Sequence, residues 1–201
     1  MSDFNSKLNN GPCLGLFSKT TDSAFVEAAG LGGMDFIILD QEHGPCGLET
    51  LHHHVRAARL GRIASIVRVR GVDSHAIGSA LDSGADGVQV PNINTAEQAR
   101  QAVAAARFHP MGQRGVCRFV RAANYGTMEK DRYFSDSNTQ TLVLQVVGTE
   151  GVRNMDAILD VGGFDVLFVG PYDLSQSVGL PGQVDAPEVL ALIEEIAAKA
   201  S

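Results

Sequence analysis

Asp40 and Glu42 stand two residues apart in the apolar segment Phe36–Glu42, which reads as a β-strand. Side chains alternate along a strand, so the two carboxylates point to one side, ~6.6 Å apart along it. His43 follows at the strand end. A carboxylate pair with an imidazole could bind a metal or position a base; a polar strand terminus at the solvent edge would have the same composition. Arg68 ends a third apolar run. Its guanidinium would suit a carboxylate or an enolate, because it stays charged and offers a rigid two-pronged fork. A surface ion pair would use it equally, and Arg70, two residues on, could compete for the role. Asp173 follows Gly170-Pro171 just past another strand, where it could ligate a hard cation or cap a helix. His52-His53-His54 looks like a metal tract but falls inside a helix. Consecutive helical side chains point ~100° apart and cannot converge on one ion, so these histidines read as structural.

The elements that must position these residues alternate along the chain. Strands read at Cys13–Ser18, Phe36–Glu42, Ser65–Arg70, Gly87–Asn92, Thr141–Val147 and Val166–Gly170. Helices read at Ser23–Gly33, Gly47–Gly61, Ser74–Gly84, Thr95–Phe108, Thr149–Val161 and Ala186–Ala200, with Thr95 as an N-cap. Apolar strands separated by helices imply a parallel sheet buried on both faces, either doubly wound or closed as a barrel. No G-x-G-x-x-G follows the first strand and no phosphate-binding G-x-x-x-x-G-K-[ST] occurs, which removes the main support for the nucleotide-binding version. In both topologies function sits at the carboxyl ends of the strands, where Asp40–His43, Arg68, Gln145 and Gly170–Asp173 gather. The segment His109–Gln140 has no clear periodicity and carries Arg114, Arg118, Arg121, Lys130 and Arg132. A loop of that length is usually functional or an assembly element.

Composition narrows the class. The chain has 201 residues, 44% hydrophobic and 19% charged, which fits one globular domain over 1–201. A net charge of −7 without a basic stripe argues against nucleic acid. No apolar run approaches the ~20 residues that cross a membrane. The start MSDFNSKLNNG lacks the basic and apolar regions of a signal peptide. Cys13, Cys46 and Cys117 are odd in number and have no metal-like spacing, which suggests free thiols in a reducing, cytoplasmic setting.

Four stretches carry a resemblance: FIILDQEHGP (36–45), IVRVRG through LDSGADGVQVPN (66–92), AEQARQAVAAARFHPMGQRGV (96–116) and LFVGPYDLSQSVGLPG (167–182). Together they resemble the HpcH/HpaI family of class II 2-oxo-acid aldolases, from about residue 13 onward. The resemblance implies a TIM-type (β/α) barrel and a divalent cation, Mg²⁺, Mn²⁺ or Co²⁺, holding pyruvate during reversible aldol cleavage of a 4-hydroxy-2-oxo acid to pyruvate and an aldehyde. It implies that His43 is the general base, that Asp82 raises its basicity and that Arg68 stabilises the enolate. Gln145 and Tyr172 become substrate contacts, and Asp173 a substrate contact and metal ligand. A small-molecule oxo acid and aldehyde are the expected partners, with a homo-oligomer as the expected assembly.

The chain departs from the family pattern in two places. The second acidic metal ligand should lie two residues after Gln145, where Val147 stands, and valine cannot bind a hard cation. Six strands are counted where a closed barrel needs eight, so the sequence reads as a barrel truncated to six βα units with the C-terminal two absent. Two alternatives stand beside the lyase reading. One is a non-catalytic relative that binds an oxo acid. The other is a citrate-lyase-like acyl-CoA lyase, for which only the arginines of 114–132 could supply a basic groove.

Overall fold

The computed structural model describes residues 4–200. Six strands, β1 (Gly15–Ser18), β2 (Phe36–Asp40), β3 (Ala64–Arg68), β4 (Gly87–Val90), β5 (Thr141–Val146) and β6 (Val166–Val169), form one parallel sheet in the order β1-β2-β3-β4-β5-β6. That order decides between the two topologies. A doubly wound sheet reverses its strand order at a switch point, whereas a barrel adds each strand beside the last. The ends curl toward each other: Phe17 of β1 and Phe168 of β6 meet edge to face, with ring centroids 5.8 Å apart. The architecture is a curled part-barrel of six βα units.

The first helix, α1 (Phe4–Asn10), precedes β1, and α2 (Ser23–Leu31), α3 (Leu48–Leu60), α4 (Ser74–Asp82) and α5 (Ala96–Ala106) follow the first four strands. Side-chain oxygens start three of them: Asp22 accepts from the Ala24 N–H, Asp73 from Ala76, and Thr95 forms a reciprocal capping box with Gln98. Segment 109–140 is not structureless. It holds a 3₁₀ turn (Arg121–Gly126) and α6 (Lys130–Asn138), fixed by Tyr133, which is fully buried against Phe108. The single helix expected at 149–161 divides at Asn154 into α7 (Thr149–Arg153) and α8 (Met155–Leu159), and Asn154 donates to the Asn94 carbonyl. After β6 come α9 (Pro171–Ser177) and α10 (Pro187–Ala200). No described helix is long and apolar enough to cross a membrane.

Two apolar layers follow from strand alternation. Ile37, Leu39, Val67, Val88 and Leu144 face outward onto Val26, Leu51, Val55, Ile77 and Leu81 of the helices. Ile38, Ala64, Ile66 and Val143 face the barrel interior, with Phe4 of α1 closing its amino end against Phe36. The same two-residue repeat continues upward. Two residues beyond Ile38 comes Asp40, beyond Ile66 comes Arg68, and beyond Val143 comes Gln145, so the interior turns from apolar to polar at its carboxyl end.

Candidate active site

Asp40 is the last residue of β2 and is fully buried. A buried carboxylate needs a partner, and its parallel register with β3 supplies one directly opposite, Arg68. Arg68 donates from Nε to Oδ1 at 2.9 Å and from Nη2 to Oδ2 at 2.6 Å, a bidentate pair. Its Nη1 lies 3.3 Å from Glu42 Oε2, and its guanidinium covers the Phe17 ring at 4.8 Å. Burial pushes the Asp40 carboxyl up. Arg68 and the backbone N–H groups of His43 and Glu42 outweigh that, holding it below the usual aspartate value.

Those two N–H bonds to Oδ1, at 3.0 Å from Glu42 and 3.2 Å from His43, form the turn that carries His43 over the pocket. The turn requires glycine at 44, where a Cβ would strike the Asp40 carbonyl oxygen. The imidazole is exposed, with Nε2 3.8 Å from Glu42 Oε2. Two residues past β4, Asn92 Nδ2 donates to the other Glu42 oxygen at 3.1 Å.

Gln145, at the end of β5, is buried, and its Oε1 accepts from Nε2 of buried Gln89. That bond engages one lone pair of the Gln145 oxygen, and the Gln145 amide N–H₂ is available to the pocket. Asp173 lies in the first turn of α9 with an exposed carboxylate. Glycine at 170 makes room for both: a Cβ there would lie 2.7 Å from Asp173 Oδ2 and 3.5 Å from Gln145 Nε2. His43, Arg68, Gln145, Tyr172 and Asp173 line one cavity of about 470 Å³, walled by Phe17 and Phe168 and with Lys19 at its margin.

Asp82 is not part of this group. It ends α4, and a barrel helix runs antiparallel to its strands, so a helix end falls at the amino end of the barrel. There Asp82 takes a 2.6 Å ion pair from Arg114, which also donates to Gln140 Oε1 and lies over Phe108. Within one chain Asp82 therefore faces Arg114 and not His43. Arg118 likewise bonds inward, to the Met128 carbonyl, and Arg121 bonds to Ser83. Each of these three loop arginines thus makes at least one bond within the chain.

A divalent cation of the kind the motifs imply finds few donors here. Val147 lies one residue past the end of β5. Asp40 and Glu42 face Arg68, the Gln145 oxygen faces Gln89, and only the Asp173 carboxylate points into the cavity without a partner among these groups. No cluster of three or more His, Cys, Asp or Glu side chains with metal-binding geometry occurs among the described residues. This donor set does not complete an oxygen shell for a hard cation. The histidine tract holds none either. His54 is buried with Nδ1 3.9 Å from Cys46 Sγ, and burial pushes the imidazole down and the thiol up.

Sequence reasoning missed Lys19 and Gln89. Gln89 carried a usable signal, as a polar residue at an inward position of an apolar strand. Lys19 carried none, since only the curl of β1 toward β6 brings it to the cavity.

The model of the HpcH/HpaI aldolase/citrate lyase family matches residues 13–201. A 2-keto-3-deoxy-L-rhamnonate aldolase of Salmonella gallinarum is 39% identical over 183 residues, covering 90% of this chain and 68% of that protein. Among solved structures, an HpcH/HpaI aldolase/citrate lyase family protein of Burkholderia cenocepacia superposes with a TM-score of 0.92 at 30% identity, over 99% of this chain and 80% of that one. An HpcH/HpaI aldolase of Desulfitobacterium hafniense gives 0.90 at 28% identity, over 97% and 76%. With this sheet order, these strand-end residues and these matches, the chain belongs to the HpcH/HpaI aldolase/citrate lyase family.

Proposed function

We propose that the pocket catalyses reversible aldol cleavage of a 4-hydroxy-2-oxo acid to pyruvate and an aldehyde. The observation that carries this reading is the convergence of a proton-moving imidazole, a guanidinium and an amide donor on one cavity, His43, Arg68 and Gln145. In the cleavage direction His43 takes the proton of the 4-hydroxyl, the bond between carbons 3 and 4 breaks, and its electron pair passes into the enolate of pyruvate. His43 then returns a proton to carbon 3. Arg68 has five N–H groups and gives two to Asp40, with Nη1 also facing Glu42 as an ion pair at 3.3 Å, which leaves donors for the enolate oxygen. The Gln145 N–H₂ adds a neutral donor. Such preorganised donors stabilise charge where it develops.

Class II aldolases of this family generally depend on a divalent cation, Mg²⁺, Mn²⁺ or Co²⁺ in the reading given by the motifs. Its usual service is to polarise the oxo acid. Asp173 would be its protein ligand here, and the donor set stops at that residue, so no step above is routed through a cation.

Proton exchange tests the reading without knowledge of the aldehyde. Pyruvate incubated with the protein in D₂O should lose its methyl proton signal, and His43→Ala should slow the loss about 100-fold or more. Absence of exchange both in EDTA and with each of the three cations added would overturn the proposal.

A further inference from the structure

Lys19 follows β1 and lines the cavity, with 56% of its side chain exposed. Its Nζ lies 3.9 Å from Asp40 Oδ2, the oxygen that Arg68 Nη2 already holds at 2.6 Å. A separation of 3.9 Å is outside hydrogen-bonding range, so the three ammonium donors make no bond to that carboxylate. The charges around the cavity then sort by partner. Asp40 is hydrogen-bonded to Arg68 and Glu42 to Asn92, while Lys19 stands in a loose 3.9 Å ion pair with Asp40 and makes no hydrogen bond to it. Lys19 is therefore the cation of this lining whose donors are open to an anion entering the pocket.

Val147 leaves the pocket without the second carboxylate that the family pattern would place there, while Lys19 adds a positive charge to its lining. We propose that Lys19 binds the carboxylate of the oxo acid and anchors it in the pocket without a metal ion. The inference rests on the reading of the pocket as a 2-oxo-acid site and adds to it the group that recognises the acid. Lys19 is a binding residue in this scheme, and proton movement stays with His43. The expected ligand is a small 2-oxo monocarboxylate, its acid end at Lys19 and its keto oxygen toward Arg68 and Gln145.

Calorimetric titration in EDTA tests this on the intact chain, using pyruvate, its neutral methyl ester and propanoate as probes. The proteins are the wild type, Lys19→Ala and Lys19→Arg. One charge-assisted hydrogen bond corresponds to a loss of about tenfold or more in affinity. Pyruvate should bind the wild type, weaken by that factor in Lys19→Ala and be largely retained by Lys19→Arg, while the methyl ester binds all three alike. Lys19 is solvent-exposed, so thermal melts of the variants should match the wild type and exclude misfolding as the cause. Equal pyruvate affinity in Lys19→Ala, or wild-type binding of pyruvate only after Mn²⁺ is added, would overturn the role of Lys19 and leave the aldolase reading standing. Propanoate binding as tightly as pyruvate, with both lost in Lys19→Ala, would uphold Lys19 as the carboxylate anchor and count against the 2-oxo-acid reading. Failure of the wild type to bind any carboxylate would overturn the inference.

Discussion

Replacing Asp40 with Asn isolates the charge at the centre of the pocket. The side chain keeps its shape, and Oδ1 still accepts from the Glu42 and His43 N–H groups, so the turn bearing His43 survives. The anion facing Arg68 is lost. Removing one partner of a buried pair costs ~3–5 kcal/mol, because the other charge stays buried without compensation. Arg68 keeps Glu42 at 3.3 Å and the Phe17 ring at 4.8 Å, which places the cost at the lower end, about 3 kcal/mol. For a chain of this size each kcal/mol moves the melting point by ~2–4 °C, so Asp40→Asn should melt about 6–12 °C below the wild type at neutral pH. The pH dependence has a fixed sign. The folded-state pKa of Asp40 lies below its unfolded value, so its stabilisation is complete above the unfolded value, about 3.9, and fades as pH falls through the folded one. The gap between the two melting curves should be constant from pH 7 to about pH 5 and narrow in the acid range below the aspartate pKa. Asp40→Ala removes the turn as well and should melt lower still. Circular dichroism melts across that range suffice. An Asn variant melting within about 2 °C of the wild type at pH 7, or a gap that does not narrow in acid, would refute the account of Arg68 as a clamped guanidinium.

Two further outcomes are expected. Val147 directly follows β5 at half burial, and continued alternation puts it on the same side as Gln145, so Val147→Glu should add a carboxylate beside Asp173 and tighten Mn²⁺ binding by about tenfold or more in calorimetric titration. Unchanged Mn²⁺ affinity with a clearly lower melting point would show that the valine only packs, since a buried unpaired Glu is destabilising. The chain should also self-associate, because the long loop exposes Val116, Phe119 and Tyr125, with Phe119 81% accessible. Light scattering at micromolar concentration that shows only monomer would contradict this.

The strand and helix rhythm was legible because it follows from side-chain alternation alone. Ile37 and Leu39 had to face one layer and Ile38 and Asp40 the other. Placement of His43, Arg68, Gln145 and Asp173 at one end followed from the parallel sheet. The short helices α1, α6 and α9 were not legible. Each is seven to nine residues long, and α6 (KDRYFSDSN) is held by Tyr133 packing on Phe108 and not by its own periodicity. Asp82 shows the limit of a motif, which gives position along the chain and says nothing of direction in space. Its helix carries it to the amino end of the barrel. Lys19 shows the converse: an ordinary polar residue after a short strand becomes part of the pocket only through the curvature of the sheet.

Three aspartate–arginine pairs explain why residue type alone cannot identify the working one. At the amino end, Arg107 gives its donors to Asp165 and to the carbonyls of Gln140 and Gly163; burial pushes its guanidinium below the usual arginine value, and Asp165 opposes that shift. Arg114 is similarly enclosed by Asp82, Gln140 and the Phe108 ring. Both are side chains less than 5% exposed that tie the long loop and the strand ends to the barrel floor. Arg68 alone of the three grips its aspartate through two bonds, at the other end of the barrel, where it borders the cavity and keeps N–H groups to give. A guanidinium enclosed away from the cavity can only hold the fold together. One held rigidly on one side and open on the other is preorganised to meet a charge that appears during a reaction. That distinction depends on which end of the barrel the strand register assigns to each pair.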